Sequence, residues 1–279
     1  SEDTNLKKLL SEINNEADYE NVILEREELK KYGGGCHQKI GVSFLNTHFG
    51  KVKYSKGENL DGSAFYEKII YKNNNLSSVK AKSYDEIFPA KLSDYSFFSR
   101  IIIESSAKEL SKLKEKCIWI SRQSALPNNT NIDSSNIIWV SGLETWQNIA
   151  KRGIWVNGSS DGLGEDTDSN IQYLTKNEWI KLTHLDAPPS KIKKAISTYK
   201  LEQNNISHNL ENKTYFYWMS SSAFKFALSK FPSIRDKFHF CGPGNTYNEI
   251  KNILGKDSKN LFIELSYKDW KSNIISSIK

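Results

Sequence analysis

Four places in this 279-residue chain carry side chains whose types and spacing could do chemistry. The first is Gly33-Gly34-Gly35-Cys36-His37-Gln38-Lys39. A cysteine on a glycine-rich loop is sterically open, and Lys31, His37 and Lys39 nearby would favour the thiolate, its nucleophilic form. The plainer reading is a half-buried structural cysteine. The second and third places echo each other. Val140-Ser-Gly142-Leu-Glu-Thr145 and Phe240-Cys-Gly242-Pro-Gly-Asn-Thr246 each run from a strand pattern through a glycine turn to a threonine. A helical pattern follows, with an isoleucine four residues on, Ile149 or Ile250. A helix that starts this way points free backbone N–H groups and its positive dipole end at one spot, a seat for a carboxylate or phosphate. Thr145 and Thr246 could add a hydroxyl donor, or could simply cap the helix. The fourth place, Ser220-Ser221-Ser222, is another hydroxyl-rich helix start with the same two readings. In open α/β sheets such loops gather at the carboxyl ends of the strands, where ligands favour the crevice.

The elements that must position these loops fall into two parts. Residues 5–32 read as helical with a break at Asn14-Asn15, and Leu6, Leu9, Leu10 and Ile13 repeat at helical spacing. Gly33-Gly34-Gly35 ends the helix. Three strand-like runs follow from Ile40, Gly50 and Phe65, with turn signals at Asn46-Thr47-His48 and Asp61-Gly62. The polar run 73–78 is the best boundary. Beyond it strands are expected at Ile101–Glu104, Cys117–Ser121, Ile137–Ser141, Tyr215–Met219, Phe238–Cys241 and Leu261–Leu265. Helices are expected at Ser105–Lys116, Thr145–Arg152, Ala223–Phe231, Tyr247–Leu254 and Lys268–Ile278, the last with capping-box-like spacing at Ser266 and Asp269. Alternating strands and helices predict parallel sheets of α/β type. The fold class expected is an α+β N-terminal domain, a helix plus a three-stranded antiparallel sheet, over 1–75. A two-lobed α/β module with parallel sheets follows over 76–279, its lobes joined near residue 199.

Composition narrows the function. The chain holds 39 Lys+Arg against 33 Asp+Glu, a net charge of +6, which suits a small acidic molecule better than the dense basic stripe of a nucleic-acid binder. No uncharged apolar run is long enough to span a membrane, no signal peptide opens the chain, and the three cysteines (Cys36, Cys117, Cys241) are too scattered for a disulfide scaffold. The compartment expected is the cytoplasm. Residue 1 is serine, so the chain reads as a piece of a longer polypeptide. The five histidines show no metal-ligand spacing, so no metal is expected, and they read as surface or satisfied core residues. Trp119, Trp139, Trp155 and Trp218 read as strand residues of core or sheet surface. Lys191, Lys193 and Lys194 read as a solvated face or an anion lure.

Two resemblances follow from these residues. Glu25-Arg26, then Gly-Gly-Cys36-x-x-x-Ile-Gly-Val and a three-stranded meander, resembles the C-terminal domain of porphobilinogen deaminase (hydroxymethylbilane synthase) over residues ~3–72. The resemblance implies a dipyrromethane cofactor held by a thioether at Cys36 in a full-length deaminase. It also implies that the upstream deaminase domains, with the catalytic aspartate, are missing from this chain, so deaminase activity is not expected from it. From ~76 to 279 the chain resembles uroporphyrinogen-III synthase. Ile137 to Gly153 is similar to that family's Gly-x-x-Thr strand-loop-helix, Phe216 to Ser222 to its second serine-bearing helix start, and Gly242-Pro243…Thr246 to its second loop. Its first serine/threonine helix start corresponds to Ser105-Ser106 or Ser121. Ala195-Ile-Ser-Thr-Tyr199-Lys is similar to its linker strand, which implies that Tyr199 assists loss of the substrate hydroxyl. Gly142, Thr145, Ser220, Ser221, Gly242 and Thr246 would bind a polycarboxylate tetrapyrrole.

The activity implied is that of a lyase, cyclisation of hydroxymethylbilane to uroporphyrinogen III in haem biosynthesis, with no cofactor in the synthase module. Two departures are visible. Asn245 is one residue too many before Thr246, and the segment between His184 and Tyr199 is short and carries Pro188-Pro189. That shortening favours the alternative, a non-catalytic module that binds bilane and channels it within a larger deaminase/synthase. A third reading makes the N-terminal unit purely structural, with Cys36 unmodified.

Overall fold

A computed structural model describes residues 3–33, 39–59, 61–71, 80–165, 175–206 and 209–275. The chain forms two compact units, Ser1–Asn75 and Leu76–Lys279. In the first, α1 (Thr4–Ile13) and α2 (Glu16–Lys30) are separate helices because Asp3 and Asn15 each cap the next turn. The Asp3 carboxylate accepts from the Asn5 and Leu6 amides, and the Asn15 side chain from those of Ala17 and Asp18. The apolar residues of α1 share a face as expected, yet the helix buries none of them. An antiparallel sheet follows, β1 (Ile40–Thr47), β2 (Gly50–Glu58) and β3 (Ala64–Ile70), in that spatial order. Helix α2 packs on β1, and the interface is polar as well as apolar. Beside Phe44 and Val52, the buried Glu28 pairs with Lys53 at 3.1 Å and Lys31 at 2.6 Å, and Lys53 pairs again with Glu67 at 2.6 Å. Burial alone would raise the Glu28 carboxyl. Hydrogen bonds from Lys31 and Lys53 overcome it and hold the group below the ordinary glutamate value.

The second unit contains, in chain order, β4 (Ile87–Phe88), β5 (Phe98–Ile102), α3 (Ser105–Leu110), β6 (Cys117–Ile120), β7 (Ile137–Val140), α4 (Leu143–Ala150), β8 (Gly158–Ser159), β9 (Trp179–His184) and β10 (Lys194–Gln203). It ends with β11 (Tyr215–Trp218), α5 (Ser221–Lys230), β12 (Phe238–Cys241), α6 (Asn245–Leu254), β13 (Leu261–Ile263) and α7 (Tyr267–Ile274). These strands build two sheets, one ordered β5-β10-β9-β6-β7-β8 and the other β13-β12-β11-β4. Every pair is parallel except β5 with β10. The larger sheet is therefore mixed, whereas the strand-helix alternation predicts parallel pairing throughout. The cause is the path of the chain. It opens the four-stranded lobe with β4, crosses to the six-stranded lobe through β5 and comes back through β10, so the two crossing segments run in opposite directions.

Each lobe has its own core. Ile118, Ile120, Ile138, Val140, Ile149, Ile180 and Leu182 fill the first, and an aromatic cluster around Phe88, Phe97, Phe216, Trp218 and Phe224 fills the second. Three expectations need correction or completion. Helix α3 stops at Leu110 rather than Lys116, because Lys112–Glu115 turns back toward β6 with Glu115 at φ +52°. Trp155 is on no strand and is 81% exposed. His239 is a satisfied core residue: its Nδ1 accepts from the Trp218 indole N–H at 3.0 Å, which places the proton on Nε2, 3.3 Å from the Arg235 carbonyl. No described helix is long and apolar enough to cross a membrane.

Burial depresses His239 to about 4. The unfolded chain, with histidine near its ordinary 6.5, then binds a proton that the folded chain refuses. Stability from this residue is complete above pH 6.5 and falls between there and about pH 4, by at most about 1.4 kcal/mol per pH unit. Urea unfolding of the whole chain at pH 7 and pH 5 measures the slope, and His239→Gln is expected to flatten it.

Candidate functional site

Between the two lobes of the second unit lies a cavity of about 260 Å³. The crossing strands supply one wall. On β5 and β10, Leu201 lies opposite Arg100 and Tyr199 opposite Ile102, so Phe98, Arg100, Tyr199 and Leu201 present one face. Tyr199 is set by an irregularity. The register of β10 against β9 shifts between Ser197 and Tyr199, which brings Ile196 and Tyr199 onto the same core although they are three residues apart. Thr198 at the shift is fully buried and accepts the Ile103 amide at its carbonyl. The Tyr199 ring tilts against the His184 imidazole, with centroids 5.9 Å apart. Its hydroxyl faces the Arg100 guanidinium. The opposite wall comes from the second lobe: Leu92, Tyr95, Met219, Ser220 and Ser222.

Charge in the cavity is one-sided. Arg100 and Arg122 both line it, and no ion pair to either is found among the described residues. Burial, and next the charge of Arg122, pull the Arg100 guanidinium below its ordinary value. Burial, with the Arg122 and Lys181 charges, does the same to His184, which is neutral at pH 7. Arginine does not give up its proton in proteins, so the two like charges on one lining repel, a cost that an anion between them would remove. The other arginines of the two-lobed unit are spent on structure. Arg152 binds the Leu126 and Pro127 carbonyls, and Arg235 binds Asp257 and the Ile253 and Leu254 carbonyls.

Of the residues picked from the sequence, Tyr199, Ser220 and Ser222 come together here and the rest do not. Ser220 caps α5 by accepting from the Ala223 amide at 3.3 Å. The Tyr95 hydroxyl accepts the Met219 and Ser220 amides at 2.9 and 3.2 Å, just before the first residue of α5, and burial pushes its pKa up to about 12. Ser221 is buried as the first residue of α5. At the first glycine loop, Gly142 is the N-cap of α4 with no side-chain cap. Thr145 lies 3.3 Å from Ser141 Oγ and caps nothing. At the second loop the N-cap is Gly244 and not Gly242, so α6 begins with Asn245 and Thr246 sits second in the helix. Of the alternatives for a first serine start, Ser106 and Ser121 donate to the carbonyls of Ile103 and Leu182, at 2.6 and 3.1 Å. Ser105 opens the short α3. Cys36 lies outside the described residues, while Cys117 and Cys241 are buried thiols that burial pushes up. Among the described residues no group of three or more His, Cys, Asp or Glu could hold a metal ion.

Sequence reasoning misses Arg100, Arg122, Tyr95 and His184. One signal could find the arginines. Only 5 of the 39 basic residues are arginine, so each one marks a place where a planar, permanently charged fork is needed.

No family model matches the chain, and no curated protein does. Solved structures do. A mutant uroporphyrinogen III synthase from the extremely thermophilic bacterium Thermus thermophilus is similar at 6% identity with a TM-score of 0.42, over 64% of this chain and 84% of that one. A second structure of Thermus thermophilus uroporphyrinogen III synthase is similar at 7% identity with a TM-score of 0.35, over 63% of this chain and 86% of that one.

Two guanidiniums on one lining, with no ion pair to either among the described residues, predict affinity for a compact polycarboxylate such as benzenehexacarboxylate. Arg100→Met and Arg122→Met are each expected to weaken that binding about tenfold, the value of one charge-assisted hydrogen bond in a partly desolvated site. Isothermal titration at low and high salt checks it, with affinity falling as salt rises.

Proposed function

We propose that the two-lobed unit cyclises hydroxymethylbilane to uroporphyrinogen III. The observation that carries the reading is Tyr199. The tyrosine that the sequence resemblance singles out is held in an interlobe cavity, its hydroxyl facing Arg100, with Arg122 and Ser220 on the same lining. In this reading the guanidiniums bind carboxylate side chains of the bilane and fix its end against Tyr199. The phenol gives its proton to the departing hydroxyl as the C–O bond breaks, water leaves, and the ring end becomes an electrophilic azafulvene. Arg100 facing the phenol oxygen stabilises the phenolate that develops. Proton loss at the newly joined pyrrole restores the balance. Most of the remaining rate comes from holding the chain folded for the inverted closure, an orientation effect. The cavity is smaller than the ~300–1,000 Å³ of ordinary ligand pockets, so the lobes must part to admit a tetrapyrrole and close again on it.

The test supplies hydroxymethylbilane from a separate deaminase and measures the isomer ratio of the products. The type III isomer is expected, and Tyr199→Phe should lower its rate about 10²-fold, the usual worth of a positioned acid. Exclusive type I product would leave the alternative, a module that binds and channels bilane without closing it; the small cavity and the short segment from Asp186 to Ser190 favour that second reading.

For the first unit we propose a deaminase-type C-terminal domain with Cys36 as the attachment point of a dipyrromethane, a reading supported by the Gly-Gly-Cys motif and by the helices that precede it and the three-stranded sheet that follows it in the chain. Intact mass of the chain after incubation with porphobilinogen and the missing upstream domains is expected to rise by one dipyrromethane. A Cys36→Ser chain should show no gain.

A further inference from the structure

The start of α6, one of the seats expected to take a ligand carboxylate, is met by a carboxylate of this chain. Glu165, on the loop after β8 in the six-stranded lobe, is 2.5 Å from Lys181 Nζ, and both side chains are at most 9% exposed. The same carboxylate accepts the side-chain amide of Asn245, the first residue of α6 in the four-stranded lobe. The backbone is shaped for this contact. Gly164 and Gly244 face each other with φ of +100° and +94°, and a Cβ on Gly164 would stand 3.1 Å from the Gly244 Cα. Neither position accepts a larger residue, because each combines a left-handed backbone with a neighbour that cannot give way. Asn245, the extra residue in the second loop, is thus the one that grips the opposite lobe.

A buried lysine in β9 needs a counter-ion, and Glu165 supplies it. That need does not explain the third partner. Lys181 alone would satisfy the charge within one lobe, whereas the Asn245 bond and the paired glycines tie the carboxylate to the other. We propose that Glu165 is an autoinhibitory latch: its carboxylate occupies two donors that a ligand carboxylate could use, Lys181 in one lobe and the Asn245 side-chain amide in the other, and it holds the lobes together until a polycarboxylate displaces it. The displacement is an exchange of one anion for another, so it costs little charge separation and occurs only when a ligand of the right class is present. The inference rests on the reading of the cleft as a polycarboxylate site, but the latch can be tested without any ligand.

Asn245→Asp puts an acidic residue into the first turn of α6, which favours the helix, and sets it against Glu165 as a like charge. Its effect is read by amide hydrogen exchange of the whole chain. Ligand-free, it is expected to speed exchange of peptides spanning 157–165 and 242–247 at least several-fold relative to wild type, with the rest of both lobes unchanged. Asn245→Ala removes the cross-lobe bond without leaving a buried charge. It should bind benzenehexacarboxylate about tenfold more tightly, because less of the affinity is spent on opening. The double variant Glu165→Leu, Lys181→Met, which removes the buried pair and the acceptor of the Asn245 amide together, should behave like Asn245→Ala. Unchanged exchange in Asn245→Asp overturns the latch, as does unchanged affinity in both other variants. If exchange rises and the probe binds no variant, the latch stands and the polycarboxylate reading of the cleft fails.

Discussion

The antiparallel pairing of β5 with β10 is the constraint on which the two-lobed unit depends. It is the one antiparallel pair in an otherwise parallel pair of sheets, and both chain crossings between the lobes run through it. Because cross-strand neighbours share a face, this ladder sets Arg100 beside Leu201 and diagonal to Tyr199. A slip of one residue would turn every one of these side chains to the other face. The shift at Thr198 then aims Tyr199 inward where strict alternation would not. Cleft chemistry therefore hangs on backbone register, while the second wall, with Tyr95 and Ser220, is fixed separately by hydrogen bonds at the start of α5.

Groups of the protein itself sit beside two of its helix starts. The Tyr95 phenol takes the amides just before α5, and Glu165 meets the side chain of Asn245, the first residue of α6. Helix termini bring unsatisfied donors whether or not a ligand is nearby, and a small closed cleft leaves little water to satisfy them. The guanidiniums differ: Arg100 and Arg122 line the cavity together and have no carboxylate partner among the described residues.

Much of the fold can be read from the sequence, and the exceptions have physical causes. Apolar runs such as Ile137–Val140 and Tyr215–Trp218 announce buried parallel strands, and Asn15 marks the break between α1 and α2. Strand β9 is hidden because Lys181 and Thr183 interrupt its apolar pattern; burial of that lysine depends on Glu165, a partner remote in sequence. Two-residue strands such as β4 exist only through their neighbours. In the site, Tyr199 and Ser220 are legible through the family resemblance. The glycine loops are legible as helix starts, but the contact of Asn245 with Glu165 is not, since that carboxylate comes from another element. The arginines carry no local motif; only the register of β5 against β10 and the loop after β6 make Arg100 and Arg122 neighbours.

The path of the chain has a consequence for how the protein is made. Strand β4 pairs with β11, more than a hundred residues later, whereas every strand of the six-stranded sheet lies between Phe98 and Gln203. During synthesis the six-stranded lobe can therefore complete its pairing while the residues that begin the other, with Ile87 and Phe88, wait unpaired. Long-range closure of this kind is slow, and a waiting apolar segment invites wrong partners. A strand of only two residues offers a small target while it waits. The lobe that is begun first is the one finished last.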